Sequence, residues 1–135
     1  MRTRHLLVGW LALAAFIATG IYMAATFPAP ALDDMGRRIM YRSAHVYIIF
    51  AGLLNLLIAA WWTDEGDHPP RHRLRVIGSW LMLAAPAVFL AAFFFEPPRQ
   101  WFMRPISLAG LAACMAGVFM HLRASKRDRH AGAAR

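Results

Sequence analysis

Three uncharged runs, Leu6–Phe27, Ser43–Trp62 and Val76–Phe95, are each long enough to cross a bilayer, and a fourth, Pro105–Leu122, falls only slightly short. A hydrocarbon core about 30 Å thick needs roughly 20 helical residues at about 1.5 Å each. Trp101-Phe102-Met103 precedes the fourth run and extends it into the interface. The pattern predicts an all-α fold, a bundle of four transmembrane helices over 6–27, 43–62, 75–95 and 103–122, with a basic tail over 123–135. Residues 1–135 form a single integral membrane domain, because no connecting segment is long enough to bury a core of its own. Any site must then be built from helix ends, short loops or the bundle interior.

Of the 135 residues, 59% are hydrophobic, more than a soluble domain of this size could hide. The formal charge of +8 could suggest nucleic acid, but the basic residues sit at membrane edges and form no separate domain that would grip phosphates. Cys114 is the sole cysteine, so an intramolecular disulfide and dithiol redox chemistry within one chain are excluded. It reads as a small apolar residue of helix four. Arg2 and Arg4 before an apolar run, with Ala29-Pro30-Ala31 after it, resemble a signal peptide superficially. The run exceeds the usual apolar region of such a peptide and proline is unfavourable in the cleavage triplet, so a retained first helix is expected.

The fifteen Lys and Arg residues divide unevenly. Arg2, Arg4, Arg71, Arg73, Arg75, Arg123, Lys126, Arg127, Arg129 and Arg135 fall on one side; Arg37, Arg38, Arg42, Arg99 and Arg104 fall on the other. The positive-inside rule places both termini and the loop between helices two and three in the cytoplasm, of a bacterial inner membrane. Trp10, Trp61, Trp62 and Trp80 then lie near the inner interface and Phe27 and Trp101 near the outer. The tail from His121 to His130 reads as a topology anchor on anionic headgroups.

Prolines punctuate the helices. Pro28 and Pro30 close helix one, Pro97-Pro98 closes helix three, and Pro105 suits the first turn of helix four, where a missing N–H has no consequence. Pro86 near the centre of helix three frees the carbonyl of Met82 and predicts a kink there. A freed carbonyl in hydrocarbon needs a partner or a cavity. Gly9 and Gly20 offer close approach on helix one. No internal repeat supports inverted-repeat transport.

Polar residues in membrane helices normally face the bundle interior or a wet cavity, because hydrocarbon cannot solvate them. Tyr41, Arg42, His45, Gly52 and Asn55 fall within one broad face of helix two, with Tyr47 opposite and expected at the interface. By depth, Glu96, Gln100, Met103 and Arg104 share the level of Arg42 and His45. The candidate site is an outer-leaflet cluster of Arg42, His45, Glu96 and Arg104. Its surplus positive charge could receive an anionic headgroup or carboxylate, with His45 and Glu96 exchanging protons. The plainer reading is that Glu96 neutralises Arg42 or Arg104 and fixes helix packing. Asn55, deeper in helix two, is expected to make an interhelical polar contact at the level of Ser79.

No cofactor is required by the sequence. Bis-histidine haem needs two histidines at similar depth on facing helices. His45 is about a bilayer away from His5 and His121, which could pair with each other at the inner surface, and Met23 or Met103 could join His45. The loop Thr63–His72 collects three carboxylates and two imidazoles, but its prolines keep His68 and His72 off a common helix face and no metal site is expected there. HExxH, GxGxxG, GxxxxGK and CxxC are absent, and no catalytic residue is assigned.

Arg42-Ser43-Ala44-His45-Val46-Tyr47-Ile48 continuing to Leu54-Asn55-Leu56, with Gly78-Ser79 and Phe94-Phe95-Glu96-Pro97, resembles small uncharacterised bacterial four-helix integral membrane proteins. The resemblance spans most of the chain, brings no established activity, and points to the helix-two segment and Glu96. The expected role is a non-enzymatic membrane component or complex subunit, with membrane lipids, other subunits or a second copy as partners and no nucleic acid. The alternative is a binding or transport-linked protein handling a lipid, quinone or proton at the outer cluster. A small haem protein is the third reading.

Overall fold

The computed structural model describes residues 1–26, 35–62, 69–99 and 103–126. Four helices account for nearly all of them: α1 (Arg2–Thr26), α2 (Met35–Ala60), α3 (Pro69–Phe95) and α4 (Pro105–Lys126). Each is long and apolar enough to cross a membrane. The 25 residues of α1 span about 37 Å at 1.5 Å each. The helices run alternately up and down, so the start of α1, the junction of α2 and α3 and the end of α4 share one end, here the terminal end. The α3–α4 junction lies at the other, the Glu96 end.

Helix bounds exceed the uncharged runs, and the reason is physical. Helix two starts at Met35 rather than Ser43, and helix three at Pro69 rather than 75. Arg, Met and Tyr sustain a helix once it leaves hydrocarbon. Pro69 and Pro70 occupy a first turn, where the absent N–H donors would have had no intrahelical acceptor. Charge marks where a helix leaves the membrane, not where it ends.

α1 packs on α2 and α3 on α4, and the two pairs join through α2 and α3. The core holds Tyr41, Ile48, Met82, Phe89, Phe93 and Cys114. Small residues set the tightest crossings. A Cβ on Gly52 would stand 2.8 Å from that of Ala12, and one on Gly117 would stand 2.9 Å from the Gly78 carbonyl oxygen. Large apolar side chains such as Leu7, Trp10, Leu11, Ile17 and Ile21 of α1 cover the outside, as a lipid-facing surface requires.

Candidate functional site

Among the described residues the buried polar side chains are His5, Thr19, Asn55, Ser79, Glu96 and Ser107. They fall into three separate assemblies along the bundle.

At the Glu96 end, α3 closes on the start of α4. Glu96 is fully buried. Its Oε1 accepts the backbone N–H of Ser107 at 2.8 Å, and its Oε2 accepts Ser107 Oγ at 2.6 Å and Arg104 Nε at 3.3 Å. Arg104 Nη2 donates to Ser107 Oγ at 3.0 Å and Nη1 donates to Ser43 Oγ, which binds α2 into the same network. Arg104 accepts the first helical bond of α4, from Leu108 N, so it stands at the N-cap, where its own side chain has no acceptor for the orphan N–H groups. Glu96 supplies that acceptor from α3, and its charge complements the positive end of the α4 dipole. Arg104 takes φ 52°, a left-handed conformation that is strained for a non-glycine residue. The strain is held by a side chain bonded to three partners.

Of the expected outer cluster, the structure brings Glu96 and Arg104 into an ion pair at 3.3 Å. Arg42 is exposed: Tyr41 and Ala44 point into the core and leave it at the edge of the buried face. His45 turns to α1, where Nδ1 lies 2.9 Å from Thr19 Oγ1 and the ring stacks on Phe16 with centroids 3.9 Å apart. Thr19 already donates its hydroxyl to the Ala15 and Phe16 carbonyls, so His45 Nδ1–H is the donor between the two. Tyr47 is half-buried, against Phe89 at 5.3 Å and beneath the Arg104 guanidinium at 5.5 Å.

Nearer the terminal end lies Asn55, also fully buried. Asn55 Nδ2 donates to the Ala51 carbonyl at 2.9 Å and to the Met82 carbonyl at 2.8 Å. Met82 O is the carbonyl that Pro86 deprives of its helical partner. Asn55 and Ser79 each take a different partner: Asn55 Oδ1 meets His5 Nδ1 at 2.7 Å, and Ser79 Oγ lies 3.3 Å from His121 Nε2.

The proton positions here follow from acceptor chemistry. Carbonyls only accept, so the two that face Asn55 require its NH₂ group and turn its oxygen to His5. Asn55 Oδ1 also only accepts, so His5 carries its proton on Nδ1. The lone pair of a neutral His5 is thereby fixed on Nε2, which is buried with no hydrogen-bond partner among the described residues. His5, His121 and Trp62 form a triangle, with ring centroids 5.9 to 6.3 Å apart. The Arg75 guanidinium stands 5.6 Å above the Trp62 ring.

A cavity of about 270 Å³ opens beside this triangle, between α2 and α4. Leu54, Leu57, Val118 and Leu122 give it apolar walls, and Trp62, Arg75 and His121 give it a polar end. The sequence marks His5 and His121 as equal in depth, but the sequestered Nε2 depends on the orientation of Asn55, which no spacing encodes. The acidic loop with His68, and the Asp33-Asp34 pair, lie outside the described residues. No protein-family model, curated protein or solved structure matches this chain.

Proposed function

We propose that this protein is a non-enzymatic component of a bacterial inner membrane, with both termini cytoplasmic and α3 bent at Pro86, working through its helix faces as a subunit or a self-associating element. The observation that carries the reading is the closure of the Glu96 end. Glu96, Arg104, Ser107 and Ser43 bond to one another within the bundle, with both carboxylate oxygens of Glu96 engaged. An incoming anion would have to displace Glu96 from the N-terminus of α4, leaving a buried carboxylate without its donors, which costs more than the ~1–3 kcal/mol of an unpaired neutral group. Such an assembly supports packing more than ligand exchange. The outer surface then carries the function, and it is apolar along the length of α1.

Native mass spectrometry of the protein extracted gently from its own membrane tests the proposal. A second polypeptide, or a defined oligomer with mixed lipid, is the expected result. A stoichiometric lipid or quinone that disappears in Glu96→Gln, from protein that remains folded, would replace it with the second reading, ligand handling at the Arg42, His45, Glu96 and Arg104 end.

A further inference from the structure

The Glu96 assembly has its bonds satisfied internally; the terminal-end assembly does not. His5 is fully buried, its Nδ1 proton is committed to Asn55, and its Nε2 lone pair has no donor among the described residues. A buried acceptor of this kind is costly unless something completes it. The Nδ1–H to amide-oxygen bond also has the form by which proteins fix a ligating histidine, holding tautomer and ring angle and raising the basicity of the other nitrogen.

The nearest imidazole is that of His121, with ring centroids 6.3 Å apart and planes at 75°. A metal held in line between two ring nitrogens at about 2.0–2.1 Å each, with every nitrogen about 1.1 Å from its ring centre, would separate the centres by about 6.3 Å. His121 engages Ser79 through one nitrogen, at a long 3.3 Å, and its other nitrogen has no hydrogen bond to a described residue.

We infer that His5 and His121 bind a metal centre between them as a bis-imidazole pair. The donor set narrows the class. Among the described residues no group of three or more His, Cys, Asp or Glu comes together. Zinc sites draw three or four protein ligands, and calcium and magnesium want oxygen. Two centres are content with two neutral imidazoles: a two-coordinate Cu(I) ion, and a haem iron whose other four ligands are the macrocycle. Both use the same bond, a nitrogen lone pair given to the metal with no proton or electron transferred. The surroundings favour the bare ion: the Trp62 ring lies within reach of it, whereas the neighbouring cavity is lined by His121 and not by His5, and so is not the space between the two imidazoles. Haem would require Trp62 to swing aside, because its ring borders both imidazoles.

The test uses the full-length protein in mild detergent, titrated separately with haemin under reducing conditions and with Cu(I) against a competing chelator. A Soret band with one haem per chain assigns the site to haem; one chelator-resistant copper per chain without a Soret band assigns it to the bare ion. In either case His5→Ala and His121→Ala should each weaken binding at least tenfold, and His45→Ala, remote from the pair, should leave it unchanged. X-ray absorption of the loaded wild type should show an imidazole-nitrogen shell, and this measurement needs no variant. Failure of the wild type to bind either centre, retention of the metal by either alanine variant, or a shell of sulfur or oxygen alone overturns the inference.

Discussion

A proline within a membrane helix strands the carbonyl four residues before it, and in α3 that carbonyl, Met82 O, accepts a hydrogen bond from Asn55 Nδ2 at 2.8 Å. The two residues should therefore be energetically coupled although they sit on different helices. Asn55→Ala alone strands Met82 O and releases His5, a loss of about 1–3 kcal/mol for each buried group left unpaired. Pro86→Ala restores the N–H that Met82 O lacks. In that background Asn55→Ala should cost roughly 1 kcal/mol less, read as a double-mutant cycle from unfolding in detergent. Additivity within about 0.5 kcal/mol would mean that the stranded carbonyl is not what Asn55 serves. The sequence pointed to the stranded carbonyl and to an interhelical contact by Asn55 at the level of Ser79, but not to the atoms that Asn55 bonds, Met82 O and His5 Nδ1. Ser79 and Met82 lie three residues apart on one face of α3. Depth counted along a helix cannot choose between two such neighbours; the choice depends on rotation and on which atom lacks a partner.

Between elements, backbone proximity and capping do most of the work. Gly52 and Gly9 belong to the same α1–α2 crossing, yet substitution should affect them differently. A methyl on Gly52 would meet Ala12 Cβ, anchored directly to the α1 backbone, at 2.8 Å; a methyl on Gly9 would meet Leu56 Cδ2 and Cγ at 2.6 Å, on a side chain that can change rotamer, and the Gly52 carbonyl oxygen at 3.2 Å. Gly52→Ala should therefore destabilise by about 1–3 kcal/mol, as overpacking does, and Gly9→Ala by clearly less. Thermal unfolding of the two variants in the same detergent decides it, and equal losses would place the crossing elsewhere. The sequence marked Gly9 and Gly20 as close-approach positions by residue size, which could not rank Gly9 against Gly52. The same limit applies to the helix ends. The prolines at 97, 98 and 105 marked the α3–α4 junction correctly, whereas the cap Glu96 gives to α4 required knowing that the chain turns back on itself within hydrogen-bond distance.

For the whole molecule, four apolar runs led directly to four helices, since hydrocarbon leaves an internally bonded helix as the way for such a run to satisfy its backbone. Charge placement adds a statement about direction that geometry by itself does not contain. Arg4 over the Trp80 ring and Arg75 over the Trp62 ring lie at the terminal end, and Arg104 lies at the Glu96 end. In sequence order, ten of the fifteen basic residues belong to segments on the terminal side and five to segments on the Glu96 side, so the terminal end should remain in the cytoplasm. Cys114 is buried and is the sole cysteine, so its replacement by alanine leaves a background in which single cysteines report position. Trp61 and Met103 suit the purpose because both are exposed, at 78% and 83%, at opposite ends, and neither enters the charge tally. In right-side-out vesicles, a membrane-impermeant maleimide should label Met103→Cys at once and Trp61→Cys after the membrane is permeabilised. The reverse order would mean that the five basic residues at the Glu96 end outweigh the ten. Labelling of both cysteines would mean that insertion is mixed. In the expected order, the His5–His121 pair faces the cytoplasm, the compartment from which a reduced metal centre would reach it.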